Sequence, residues 1–305
     1  MGDAAAVPHH DRGRAPPPPP AQAPRVEPHR SSELKAPDWL DLFSRIGADV
    51  RRAVVPLSGT EAGRTALSVG AGGDTTVELD RAAEEIVFAE LESLARRGEK
   101  FCVLSEEAGH RSFGSDYPLL LVDPVDGSLN AKQGVPLFGL MLAVLDGPTV
   151  GDAFAGLVLN LSTGEDWRAM RKQGAWRGGK PLIRLAVEDD HRIELLGLES
   201  TPRALKVAQP LVELASKIRI LGSMALSIAL TSAGGFDVFC APIPVRVFDM
   251  AASLLLLKEA GGVATNLRGE PIDGLQCDLK TRSTLLCAPT RELHARALGI
   301  LGQPS

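Results

Sequence analysis

Leu119-Leu120-Leu121-Val122-Asp123-Pro124-Val125-Asp126-Gly127-Ser128-Leu129-Asn130 decides how the rest of this chain is read. Four large aliphatic residues in a row suit a strand buried on both faces. The run stops abruptly at two carboxylates, a proline and a glycine. Two aspartates three residues apart at a strand end repel each other, so a cation between them would stabilise the pair. Asp-Pro and Asp-Gly are also turn dipeptides, whose side chains bond nearby backbone. Alone, the stretch leaves both readings open.

The chain around it has 305 residues, enough for one large domain or two subdomains with a substantial core. A net charge of −5 argues against a general nucleic-acid binder, which would show a basic face. Cys102, Cys240, Cys277 and Cys287 are scattered through or beside apolar runs, with no CxxC pair. That pattern suits buried, reduced thiols better than disulfides or zinc ligands. No apolar run approaches the ~20 residues of a membrane span, and the first residues lack the apolar core of a signal peptide. A cytoplasmic protein without membrane partners is the expectation.

Residues 1–37 hold Pro8, the run Pro16 to Pro20, Pro24, Pro28 and Pro37, with few large apolar side chains. Such a tail is expected to be disordered or transiently polyproline II and is set aside for the fold. Trp39, Leu42, Phe43, Ile46, Val50 and Val54 recur at helical spacing behind Asp38 as cap. Glycines from Gly59 to Gly73 mark a flexible connection, and a second helix follows Asp80, burying Ala83, Val87, Leu91 and Leu94. Phe101 to Leu104 reads as a short buried strand ending in Ser105-Glu106-Glu107. A polar loop then leads to the strand that enters Asp123.

From Val135 to Asn160, apolar runs broken by Asp146-Gly147-Pro148 and Gly151-Asp152 suggest an antiparallel meander, extended through Trp176 and Gly178-Gly179. After residue 187 strands and helices alternate. Strands are expected at Ile193–Leu198, Arg219–Leu221, Phe236–Cys240, Val263–Asn266 and Thr284–Ala288, and helices at Leu205–Ile218, from Gly222-Ser223 to Ser232, and Asp249–Glu259. The expectation is an α+β chain with an N-terminal subdomain over 38–187 and a C-terminal α/β subdomain over 188–303 that completes the site.

Carboxylates collect where strands end or helices begin: Glu106 with Glu107, Asp123 with Asp126, and Asp249. Oxygen ligands without His or Cys nearby select hard cations, so Mg²⁺ is favoured over Zn²⁺. Four or five such groups suit a two-metal site. Each has a plain alternative. Taken alone, Glu106-Glu107 reads as an exposed loop sooner than as a metal ligand; Asp249 has a reading as a helix cap, and Asp80 as a cap with Glu84 near the capping-box position.

Taken together and in order, these residues resemble the inositol monophosphatase family of magnesium-dependent, lithium-sensitive phosphatases. Asp123-Pro124-Val125-Asp126-Gly127-Ser128-Leu129-Asn130 matches its DPxDG[ST]xN signature, and Ser105-Glu106-Glu107 its glutamate pair. Phe248-Asp249-Met250-Ala251-Ala252 and Glu259-Ala260-Gly261-Gly262 resemble its C-terminal signature. Gly70 to Thr76 with Asp80 looks like a segment of the archaeal and bacterial members that cleave both inositol 1-phosphate and fructose 1,6-bisphosphate.

The resemblance implies a layered α/β/α/β/α sugar-phosphatase fold, antiparallel in its N-terminal half and alternating in its C-terminal half. It implies that Glu106, Asp123 and the Val125 carbonyl hold a first Mg²⁺, and that Asp123, Asp126 and Asp249 hold a second, with a third, weaker ion near Glu106. Asp80 and Ser128 would activate the attacking water, and Glu106 would share in the catalytic set. Asp126, Gly127 and Ser128 would meet the phosphate, and Gly222 and Ser223 the remainder of a phosphorylated polyol or sugar. Arg246, shortly before Asp249, reads either as a contact to a substrate phosphate or hydroxyl or as a surface arginine. A homodimer is the implied assembly.

Pro242 stands where many members carry a glutamate, which leaves inositol specificity open. Ser128 keeps the hydroxyl of the commoner threonine, and Ala131 replaces a common phenylalanine. Two further readings stand beside the main one: a 3′(2′),5′-bisphosphate nucleotidase of the same superfamily, and a catalytically silent phospho-ligand-binding or scaffold protein.

Overall fold

The computed structural model describes residues 1–2, 38–73, 75–183 and 192–302. The expected tail over 1–37 therefore lies outside the described residues apart from Met1 and Gly2, and so does the expected boundary at 187/188.

Helix α1 (Trp39–Val54) begins as its spacing predicts, with Asp38 Oδ1 accepting from the Asp41 N–H at 3.1 Å. The glycine-rich connection is more ordered than expected. Strand β1 (Ala66–Val69) and β2 (Thr75–Val77) pair antiparallel across it. Helix α2 (Glu78–Arg96) starts two residues before Asp80, which corrects the expected cap. Asp80 sits inside the first turn, and its Oδ2 accepts from the Val77 N–H at 3.0 Å.

Strand β3 (Phe101–Ser105) lies between two arms of β4 (Gly109–Asp126). Cys102 faces Ser112 and Val103 faces Arg111 in a hairpin; on the other side Cys102 faces Leu119 and Val103 faces Leu120, in parallel. The first arm is the stretch expected to be a polar loop. Its side chains are largely exposed, so it carries no apolar signal; its polar residues suit a sheet edge.

Helix α3 (Ser128–Gln133) follows the signature. The meander then runs as predicted through β5 (Gly139–Leu145), β6 (Ala153–Asn160), β7 (Asp166–Met170), β8 (Gly174–Arg177) and β9 (Lys180–Pro181), all antiparallel neighbours.

Beyond the undescribed 184–191 come β10 (Leu195–Leu198), α4 (Leu205–Leu214) and β11 (Lys217–Ile220). Helix α4 stops four residues earlier than expected because Ser216 and Lys217 donate to Ile193 and Glu194 carbonyls, at 3.0 and 2.8 Å, and so join β10. Helix α5 (Met224–Ser232) has Ser223 as its cap. Strand β12 (Val238–Arg246) runs six residues past the expected Cys240, because a break in register between Ala241 and Val245 accommodates Pro242 and Pro244. A 3-10 turn (Val247–Asp249) leads to α6 (Ala251–Glu259), then β13 (Val263–Thr265), β14 (Arg282–Ala288) and α7 (Arg291–Leu301), a helix the periodicity did not announce.

These elements stack in five layers. Helices α1 and α2 cover one face of the seven-stranded sheet β3–β9, and α5 and α6 fill the space between it and the five-stranded sheet β11-β10-β12-β14-β13. Helices α4 and α7 close the far side. Strand β5 shows why its residues are apolar throughout. Leu140, Leu142 and Val144 join the α1/α2 core, while Met141, Ala143 and Leu145 join the α5/α6 core. The layered architecture is the one expected, with its N-terminal half antiparallel apart from the β3–β4 crossing.

Candidate active site

The ends of β3 and β4, the first turn of α2 and the turn before α6 converge on one place. Glu84 of α2 takes the Ser105 hydroxyl at 2.5 Å and the Ala108 N–H at 2.8 Å, which fixes the turn that presents Glu106. Gly72 and Ala71 donate to the Glu106 and Glu107 carbonyls, at 2.7 and 2.9 Å, so the β1–β2 loop is fastened over that turn. Carboxylate oxygens of Glu106, Asp123 and Asp249 lie within 4.8 Å of one another.

Such crowding is unfavourable without cations. Burial raises the pKa of Asp123 well above its ordinary value, and Glu106, Asp126 and Asp249 add to the rise. Its Oδ1 is held by the Val125 N–H at 3.1 Å. Arg246 supplies positive charge: its Nη1 lies 2.6 Å from Glu106 Oε1, and its Nε lies 3.1 Å from Asp249 Oδ2. An all-oxygen donor set this dense, with no His or Cys in it, fits a hard divalent ion such as Mg²⁺.

Asp126 does not join the three-carboxylate group. It turns to the start of α5, where it accepts from the Ser223 hydroxyl, from Met224 N–H at 3.1 Å and from Ala225 N–H at 3.0 Å. Burial outweighs those bonds and pushes its carboxyl up to about 7. The signature is clasped to α5 a second time through Asn130, whose Nδ2 donates to Leu137 and Leu221 carbonyls at 2.7 and 2.6 Å. Gly127 stands at φ +80°, and a Cβ there would lie 2.9 Å from the Gly222 carbonyl oxygen. Only glycine fits both the dihedral and the approach.

A cavity of ≈ 400 Å³ opens beside the carboxylates, lined by Asp80, Glu106, Glu107, Asp123, Val125 and Ser128 with Thr75, Pro124 and Lys132. Burial pushes the Asp80 carboxyl up to about 6. Asp80 and Ser128 both face this space, and among the described residues no hydrogen bond joins them. Gly222, Ser223 and Arg246 are not part of this wall. Gly222 N–H donates to Glu199 Oε2 at 3.1 Å, and Ser223 Oγ both caps α5 and binds Asp126. Arg246 is a partner of the carboxylates and not a surface arginine.

The inositol monophosphatase family model matches residues 43–303. The chain belongs to that family. It is 34% identical over 274 residues to the fructose-1,6-bisphosphatase/inositol-1-monophosphatase of Methanothermobacter thermautotrophicus, covering 86% of this chain and 96% of that one. It is 31% identical to the protein of the same description from Archaeoglobus fulgidus, over 87% and 98% of the two chains. The solved Thermotoga maritima IMPase shares the fold, with a TM-score of 0.70 at 24% identity over 87% of this chain and 97% of that one.

Membership makes this chain a phosphoric monoester hydrolase of a magnesium-dependent family. Glu107, the second member of the glutamate pair, takes the Thr76 hydroxyl and lines the cavity beside Thr75. Lys132, also in the cavity wall, was not singled out from the sequence. Lys132 stands four residues after Ser128 on α3, a spacing that puts both on one helical face. That signal was available, but α3 is six residues long and shows no apolar period. Among the described residues no helix is long and apolar enough to cross a membrane.

Proposed function

We propose that this chain hydrolyses inositol 1-phosphate and fructose 1,6-bisphosphate with Mg²⁺, and that the three-carboxylate group beside the cavity is its metal site. The observation that carries the reading is the convergence of Glu106, Asp123 and Asp249 from three separate elements. The names of the relatives in Methanothermobacter and Archaeoglobus support both substrates. A homodimer in the cytoplasm belongs to the same reading; the resemblance supports the dimer, and the scattered, unpaired cysteines support the compartment.

Glu106, Asp123 and Asp249 would hold Mg²⁺ with the Val125 carbonyl, and Asp126 would serve a second ion through whatever lone pairs its three donors leave. Bound there, the ion supplies Lewis-acid chemistry: it neutralises phosphate charge and makes water a better nucleophile. Asp80, a buried carboxylate with its pKa near 6, accepts the water's proton, directly or across the Ser128 hydroxyl. The water oxygen attacks phosphorus in line, the P–O bond to the ester oxygen breaks, and that oxygen takes up a proton from solvent water and leaves as the alcohol. Backbone N–H groups at Gly127 and Ser128 meet the phosphoryl oxygens. No protein nucleophile is needed. The silent-relative reading has little left to support it, since every matched carboxylate is present and three of them converge.

Phosphate release from inositol 1-phosphate, fructose 1,6-bisphosphate and 3′-phosphoadenosine 5′-phosphate tests this. Turnover of the first two that stops with chelator is expected. Turnover of the nucleotide alone would move the assignment to the nucleotidase, and none on any of the three would refute the phosphatase reading.

A further inference from the structure

The Arg246 guanidinium is held by the carboxylates of the site itself. Its Nε and Nη2 reach the two oxygens of Asp249, at 3.1 and 3.2 Å, as a fork. Its Nη1 reaches Glu106 Oε1 at 2.6 Å. The side chain is only 19% exposed, and its Cζ stands 5.0 Å from the centre of the Phe248 ring. Gly72 completes the enclosure: a Cβ there would lie 3.0 Å from Glu106 Cγ and 3.3 Å from Arg246 Nη1. Arg282, on the neighbouring strand, also acts on Asp249, but its Nη1 donates to the Leu279 and Thr281 carbonyls at 2.9 and 3.0 Å.

Resting on the metal site proposed above, we infer that Arg246 and the divalent ion compete for Asp249 and Glu106, so that Arg246 sets the magnesium concentration at which the site fills. Both Asp249 oxygens are engaged by one guanidinium. An ion that takes either must share it with a like charge a few ångströms away, or displace the fork. In a buried site like charges interact strongly, so either route weakens the first binding event. In return, Arg246 holds two carboxylates from different elements in place before any ion arrives. Arg246 is thus a positioning residue that acts through Glu106 and Asp249.

Calorimetric titration of the full chain with magnesium chloride, without substrate, tests this on the wild type, Arg246→Gln and Arg246→Lys. Arg246→Gln is expected to bind magnesium about tenfold more tightly, from lost repulsion and lost competition. Arg246→Lys keeps the charge but not the fork, and is expected to fall between the two. Thermal melts are expected to show Arg246→Gln less stable than wild type without magnesium, with a larger upward shift on adding it. A purely structural role would lower the melting temperature and leave magnesium affinity where it was. Equal or weaker binding in Arg246→Gln overturns the inference. Should that variant fail to fold, Arg246→Lys decides in the same way, since it too must bind more tightly than wild type. A wild-type chain that binds no magnesium overturns the metal site and this inference together, whereas wild-type binding that Arg246→Gln leaves unchanged overturns this inference alone.

Discussion

Replacing Asn130 by Asp tests how the signature loop is held to the start of α5. Both partners of the Asn130 amide are carbonyl oxygens, of Leu137 and Leu221, so only its NH₂ can serve them. Asn130→Asp keeps the shape and removes the donor. Two hydrogen bonds of roughly 1 kcal/mol each are lost, and a carboxylate is set against two carbonyl oxygens, for a total near ~3 kcal/mol. Asn130→Ala leaves a half-buried space that water can enter, so its cost is nearer ~2 kcal/mol. For a chain of this size ~1 kcal/mol moves the melting temperature by roughly 2–4 °C, so scanning calorimetry should find a drop of about 6–12 °C for Asp and less for Ala. Turnover should fall with it, by as much as ~100-fold, because the clasp sets where Asp126 and Ser128 stand. Unchanged melting in Asn130→Asp, or a larger loss in Ala than in Asp, would refute this account of the clasp.

Two further outcomes follow from the site and its frame. The Asp80 pKa is raised by burial from 3.8 to about 6, so between those values the folded chain keeps a proton that the unfolded chain releases. The cost of that buried charge is absent below 3.8 and complete above about 6; the metal-free protein therefore gains stability as pH falls through this window. Asp80→Asn should raise metal-free stability at pH 7 by ~1–3 kcal/mol in denaturant titrations while abolishing most turnover, and a destabilised variant would contradict the burial argument. Glu259 of the C-terminal signature accepts from Lys172 and Gly174 N–H groups at 2.9 and 3.0 Å and so fixes the β7–β8 turn. Glu259→Ala should cost ~1–3 kcal/mol and leave kcat unchanged, and a loss of kcat without a loss of stability would give this glutamate a role in the chemistry.

Much of the chain was legible one segment at a time. The period of Trp39 to Val54, the cap at Asp38 and the meander after Val135 are local, and local backbone and burial preferences suffice to write them. The carboxylates were legible as positions, because a strand that ends in Asp-Pro-x-Asp-Gly must expose charge where the sheet stops. Their directions were not. Whether Asp126 points to an ion or to α5 is decided by donors 97 to 99 residues away, at Ser223, Met224 and Ala225. The first arm of β4 was missed because an edge strand with polar faces has no apolar period, and its pairing with β3 is what makes it a strand. The length of β12 likewise depends on a break in register that lets Pro242 and Pro244 through.

By itself, then, the sequence determined the order of the elements, the residues that carry charge at their ends, and, through its signatures, the family. Only the tertiary structure decided which of those charges meet. Periodicity reports that a face is buried and not what buries it, and a carboxylate's partner is fixed by layers that pack against one another across the fold. That is why Asp123 stands among Glu106 and Asp249, while Asp126, three residues on, is held by α5.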